Sequence, residues 1–222
     1  MRTRFLSIFT ALLVGVVCSP AIKAQADDVP RYEIGANFTS ITKPDFSSGN
    51  TAIGFGGRFT FNLNRSVALE AVTNFFPQDC NFCGGTIGDN SGNLTQGLFG
   101  VKAGKRFHRW GIFGKARPGF ASFSKGEGRY VATGLGGTFP FTFNQSRLTN
   151  FALDVGGIIE LYHSKHIVTR FEAGDTLIRY GRRNTNFPTF DVATGAVTLV
   201  PFTLPAETRH NFQFVAGVGY RF

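Results

Sequence analysis

Asn211-Phe212-Gln213-Phe214-Val215-Ala216-Gly217-Val218-Gly219-Tyr220-Arg221-Phe222 is the stretch whose reading decides the fold. Phe212, Phe214, Ala216, Val218, Tyr220 and Phe222 fall at every second position, and Asn211, Gln213, Gly217, Gly219 and Arg221 fall between them. A period of two belongs to a strand whose faces meet different surroundings. The alternation runs unbroken to Phe222, so the strand is expected to reach that residue with an aromatic side chain, where the end of a soluble chain ordinarily frays.

The same period recurs upstream in seven further stretches. Tyr32, Ile34, Ala36 and Phe38 oppose Glu33, Gly35, Asn37 and Thr39; Ile53, Phe55, Phe59, Phe61 and Leu63 oppose Gly54, Gly56, Arg58, Thr60 and Asn62. Val67, Leu69, Ala71 and Phe75 stand against Ala68, Glu70 and Asn74, and Phe99, Val101, Ala103 and Phe107 against Gly100, Lys102, Gly104 and Arg106. Trp110, Ile112, Ala116 and Phe120 alternate with Gly111, Phe113, Lys115, Arg117 and Gly119. Phe151, Leu153, Val155, Ile159 and Leu161 oppose Asp154, Gly156 and Glu160, and Ile167, Thr169, Phe171 and Ala173 oppose Val168, Arg170, Glu172 and Gly174.

The connections alternate in length. Asn64-Arg65, His108-Arg109 and His163 to Lys165 mark tight turns, whereas Thr42 to Thr51, Pro77 to Gln96, Ser124 to Thr149 and Gly181 to Thr208 are long. Short turns at one end and long loops at the other describe an up-and-down meander with both chain ends on the short-turn side. Composition agrees: 26 Phe and 28 Gly in 222 residues, with one Met, favour strands over helices.

Arg2 and Arg4 precede an apolar stretch from Phe5 to Val17, and Ala24-Gln25-Ala26 offers the small residues of a cleavage site. Residues 1–26 are therefore expected to be a signal peptide and 27–222 the mature domain. The apolar stretch is shorter than the roughly 20 residues of a membrane-spanning helix. Val17 before Cys18 is not the small residue a lipid-anchor site requires. Removal of Arg2, Arg4 and Lys23 lowers the net charge from +9 to about +6. The remaining basic residues are spread along the chain, often beside acids, and no nucleic-acid-binding motif occurs, so nucleic acid is not an expected partner.

Alternation does not by itself say which face is interior. The polar face collects Arg58, Lys102, Arg106, Lys115, Arg117, Arg170 and Arg221 with Glu33, Glu70, Asp154, Glu160 and Glu172, interspersed with glycines. Long charged groups beside residues without side chains suit the interior of an eight-stranded barrel, which side chains just fill. There they must be paired, because an unpaired buried ion costs several kcal/mol. The opposite arrangement, a soluble barrel with Phe and Leu inside, would overfill so small a cavity. The expectation is an all-β, eight-stranded, antiparallel, up-and-down transmembrane β-barrel with short periplasmic turns, long extracellular loops and a lumen closed by a charge network.

The signal segment, the eight strands, the alternating loop lengths and the run Phe212 to Phe222 together resemble the OmpA-like small outer-membrane β-barrels. The resemblance spans the mature chain. It implies a bacterial outer-membrane location after Sec-type export, with Tyr220 and Phe222 as the signal read by the barrel assembly machinery. Relatives that bind peptidoglycan carry a further domain, so the barrel alone is expected here, without a wall-anchoring role.

Chemistry-bearing motifs are sparse. His163-Ser164 with Lys165 and His166 departs from the lipid A deacylase pattern, since the Ser is adjacent to the His and the group sits in a turn on the periplasmic side. His210 with Asp191 is a loose match to an outer-loop acyltransferase site. Cys80 and Cys83 lie in a long loop; a local disulfide is the first expectation in an oxidising compartment, with free thiols and a metal site as alternatives. No nucleotide-binding or hydrolase signature occurs, and no catalytic residue, cofactor or resident metal is expected.

Arg129 to Thr133 with Thr138 to Phe143, and Phe190 to Val192 with Ala196 to Val200, read as hairpins in the third and fourth loops. Lys125, Arg129, Arg147, Arg179, Arg182, Arg183 and Arg209 lie toward that end, where phosphorylated lipopolysaccharide is the expected partner. The expected role is non-enzymatic: a monomer serving envelope integrity and surface interactions through its loops. A narrow pore for small solutes and a lipid A-modifying enzyme are the alternatives.

Overall fold

The computed structural model describes residues 29–42, 51–77, 89–90, 93–134, 137–190 and 197–222. The proposed signal segment and Cys80, Cys83 and Asp191 lie outside the described residues. Among the described residues thirteen strands follow in order: β1 Tyr32–Thr42, β2 Thr51–Asn62, β3 Val67–Phe76, β4 Asp89–Asn90, β5 Leu94–Arg106, β6 Trp110–Phe123, β7 Gly126–Gly134, β8 Gly137–Gln145, β9 Leu148–Tyr162, β10 Ile167–Tyr180, β11 Arg183–Phe190, β12 Val197–Leu204 and β13 Glu207–Arg221.

Eight of these close into an antiparallel barrel in the order β1, β13, β10, β9, β6, β5, β3, β2, so every pair except the seam between first and last strands is consecutive along the wall. The register defines the shape. Starting at Gly219 and stepping through Gly35, Arg58, Val72, Leu98, Gly119, Ala152 and Ile178, the ladders return to β13 at Arg209, ten residues from the start. That stagger over eight strands tilts them by about 40° from the axis. Opposite walls are then close enough for side chains to meet across the lumen.

Three tight turns, the start of β1 and Phe222 share one end of the barrel. Asn64 Oδ1 accepts the backbone N–H groups of Ser66 and Val67 at 2.8 Å each. Ser164 Oγ accepts those of His166 and Ile167 at 3.2 and 3.0 Å. The seam is fastened there too, by mutual backbone hydrogen bonds of 2.9 Å between Tyr32 and Phe222.

The long connections carry more strand than alternation predicts. The ladder of β6 and β9 ends at Phe123 opposite Leu148, and β7 with β8 resumes it in the same register at Gly126 opposite Gln145. In the same way Tyr180 opposite Glu207 is followed by Arg183 opposite Leu204 on β11 and β12. The fourth-loop hairpin therefore starts seven residues before the expected Phe190, and β5 begins at Leu94, inside the expected second connection. These segments lack a simple two-residue polarity pattern, which is why alternation ends before the strands do.

Candidate functional site: the closed lumen and its mouth

Outward positions form an apolar belt: Phe38 is 68%, Phe99 59%, Phe212 58% and Phe222 57% exposed. From Phe212 to Phe222 the belt climbs about 25 Å along the axis at this tilt, the height of a barrel's lipid-facing band. Aromatic side chains gather at its turn-side edge, where Tyr32 lies 5.4 Å from Phe61 and 5.8 Å from Phe222, Tyr220 lies 6.3 Å from Phe222, and Phe107 stacks on Trp110 at 4.3 Å. Such rings, apolar with a polar tip, collect where hydrocarbon gives way to water.

Inward positions are stratified. Nearest the turns and in the lower lumen lie the charges, and all twelve of the predicted network residues point inside. Arg58 donates to Glu33 at 2.6 Å. Arg170 grips Glu70 with two nitrogens, at 2.5 and 2.8 Å, and its Nε stands 2.7 Å from Glu172. Arg117 donates to Asp154 at 2.9 and 2.5 Å and to Glu172 at 2.6 Å, and reaches Glu70 at 3.3 Å. Lys115 bridges Asp154 and Glu172 at 2.9 and 2.8 Å, and Lys102 pairs with Glu160. The glycines make room for this. A Cβ on Gly35 would stand 3.0 Å from Nη2 of Arg58, and one on Gly219 would stand 2.9 Å from the Glu33 carboxylate.

Above the ions sits a layer of amides. Asn37 donates to Asn74 at 2.9 Å, Asn74 to Gln96 at 2.7 Å, and Gln96 and Gln213 exchange bonds of 3.2 Å. Thr176 donates to Gln213 at 2.6 Å, and Gln213 donates to Thr39 at 3.1 Å. Above that, toward the long loops, Ile41, Val72, Phe76, Leu94, Leu98 and Ile178 pack with three alanines, flanked by Phe123 and Tyr180. Sequence analysis singled out only the ionic layer; the signal for the others was their inward parity on the same strands.

The weak catalytic matches take other roles. Ser164 caps its turn, and His163 Nε2 contacts Thr169 Oγ1 at 2.8 Å. His210 Nδ1 lies 2.5 Å from Asp175 on the outer wall, a cross-strand partner that sequence spacing did not reveal. Among the loop-end cations, Lys125, Arg147, Arg179 and Arg182 are exposed, whereas Arg209 folds onto Tyr180 and donates to Glu207 at 3.1 and 3.2 Å. The side chains of Arg129 and of most of β11 lie outside the described set. Among the described residues no group of three metal-ligating side chains occurs.

At the turn end the lumen opens into a cavity of about 420 Å³. Arg106, Tyr162 and Arg221 form its floor, and Arg65, His108, Arg109 and Lys165 stand around it. Arg106 Nε donates to Tyr162 Oη at 2.9 Å, Tyr162 donates on to Glu160 at 2.9 Å, and the Arg221 guanidinium lies 4.5 Å from the centre of the Tyr162 ring.

No family model matches the chain, and no curated protein matches it. Among solved structures it is similar to Neisserial surface protein A, at 14% identity and a TM-score of 0.48, over 86% of this chain and 97% of that one. It is also similar to the N-terminal β-barrel domain of OprF from Pseudomonas aeruginosa, at 12% identity and a TM-score of 0.43, over 87% and 98%. A third likeness is to Ail, the attachment invasion locus protein of Yersinia pestis, at 13% identity and a TM-score of 0.41, over 86% and 96%.

Proposed function

We propose that the chain is a monomeric, non-enzymatic protein of the bacterial outer membrane, exported under a signal peptide at residues 1–26 and inserted by the barrel assembly machinery. Its barrel contributes to envelope integrity, and its long-loop end meets the surroundings. The observation that carries this is the inversion of the usual arrangement, with Phe, Ile and Val around the outside and ion pairs within. In water such a belt would drive aggregation; in hydrocarbon it is the required surface, and a closed barrel satisfies every backbone group of the wall. Exposed Lys125, Arg147, Arg179 and Arg182 at the loop end are suited to the phosphates of lipopolysaccharide.

A narrow pore for small solutes is the competing reading. The amide and apolar layers oppose it, since together they span the lumen above the ions. Modification of lipid A has less support, because the Ser164 hydroxyl is engaged by its own turn. The test is refolding with and without detergent, followed by gel migration of unheated and boiled samples. A fast-migrating unheated form that requires amphiphile is expected, and folding in plain buffer would overturn the proposal. Absence of stable conductance steps in planar bilayers would then separate a closed barrel from a pore.

A further inference from the structure

We propose that the turn-end mouth of the lumen is a binding site for a phosphate group. The charge inventory of the interior points there. Among the described residues seven cations, Arg58, Lys102, Arg106, Lys115, Arg117, Arg170 and Arg221, share the lumen with five carboxylates, Glu33, Glu70, Asp154, Glu160 and Glu172. The excess lies at the mouth. Among the described residues Arg106 approaches a carboxylate no closer than 3.8 Å, at Glu160, and Arg221 forms no ion pair.

Both residues are nonetheless buried, Arg221 to 5% exposure and the Arg106 side chain to 6%. Each also keeps a donor without a partner: Nη1 of Arg106 and Nε of Arg221 are buried with no hydrogen-bond acceptor. Their other contacts fix them in place. Arg106 Nη2 donates to Asn62 at 3.3 Å, and Arg221 Nη2 donates to the Ser164 carbonyl at 2.9 Å. Two held guanidiniums whose charge no close carboxylate balances, on the floor of a cavity whose described lining contains no acid, call for an oxyanion. Planar guanidinium donors favour phosphate or carboxylate, and the two unbalanced charges with Arg109 at the rim favour the more highly charged phosphate. Its source is either a soluble phosphate or the head group of a phospholipid beside the mouth.

The test is a titration of inorganic phosphate against chloride at constant ionic strength, on the refolded full barrel in octyl glucoside. Heat of binding and the arginine Nε–H resonances are the readouts. Saturable binding is expected, weakened about ten-fold by Arg221→Gln, with unheated gel mobility showing that the variant is folded. Arg109→Gln on the exposed rim gives a smaller loss if Arg221→Gln does not fold. Asp27 and Asp28 lie immediately before Val29 of the lining, so the Asp27→Asn, Asp28→Asn double variant is titrated in parallel, and binding in either form supports the site. In phosphatidylglycerol nanodiscs, displacement of inorganic phosphate assigns the site to a lipid head group, and unchanged affinity assigns it to a soluble anion. Absence of saturable binding in both forms, or binding that a folded Arg221→Gln leaves untouched, overturns the proposal.

Discussion

Arg117 is the residue on which the ionic layer turns, because its three nitrogens reach Asp154, Glu172 and Glu70 from three different strands. It is 1% exposed, so its removal leaves carboxylates buried without their shared cation. Arg117→Ala is expected to cost about 3 kcal/mol or more, measured as equilibrium urea unfolding from lipid vesicles. A near-zero effect would mean that water reaches these groups. That Arg117 faces inward was legible from parity alone, since Ala116 and Phe120 take the other face. Its partners were not legible. Pairing across the lumen depends on how far each strand is staggered, and stagger is a sum over eight ladders that no local pattern records. The same limit hid His210 with Asp175, which are neighbours only through the register of β10 and β13.

At the scale of elements, some barrel strands form a gradient from charged to apolar along their inward face. β1 runs Glu33, Asn37, Thr39, Ile41 from turn to loop, and β3 runs Glu70, Asn74, Phe76. The charged ends of these strands were readable because polar and apolar faces contrast there. Their outer ends were not, because Ile41, Phe76 and Leu94 are apolar on the inward side as well, and the contrast disappears. Phe76 is fully buried in the apolar layer. Phe76→Ala should leave a cavity costing about 3–5 kcal/mol in the same urea assay. The amide and ionic layers below remain, so the variant should still show no steady bilayer conductance; an open channel would place the barrier in the apolar layer alone.

For the whole molecule, the decisive contact is the seam. β1 and β13 pair from Glu33 opposite Arg221 to Ile41 opposite Gln213, and Phe222 stacks on Tyr32 beside the last hydrogen bonds. Deleting Phe222 removes both of those bonds and an aromatic member of the turn-side edge. The expected outcome is a reduced fraction of outer-membrane-inserted, heat-modifiable protein in cells, and unchanged insertion would count against a role for this residue in assembly. The seam also governs how the protein comes apart. A partly opened wall would turn Glu33, Arg58, Glu70 and Arg170 toward hydrocarbon, where exposed charge is far more costly than in water. Splayed, half-paired sheets are thereby removed from the accessible ensemble. Unfolding should proceed as one cooperative event with a high barrier, so the resting barrel owes its persistence as much to the slowness of escape as to equilibrium.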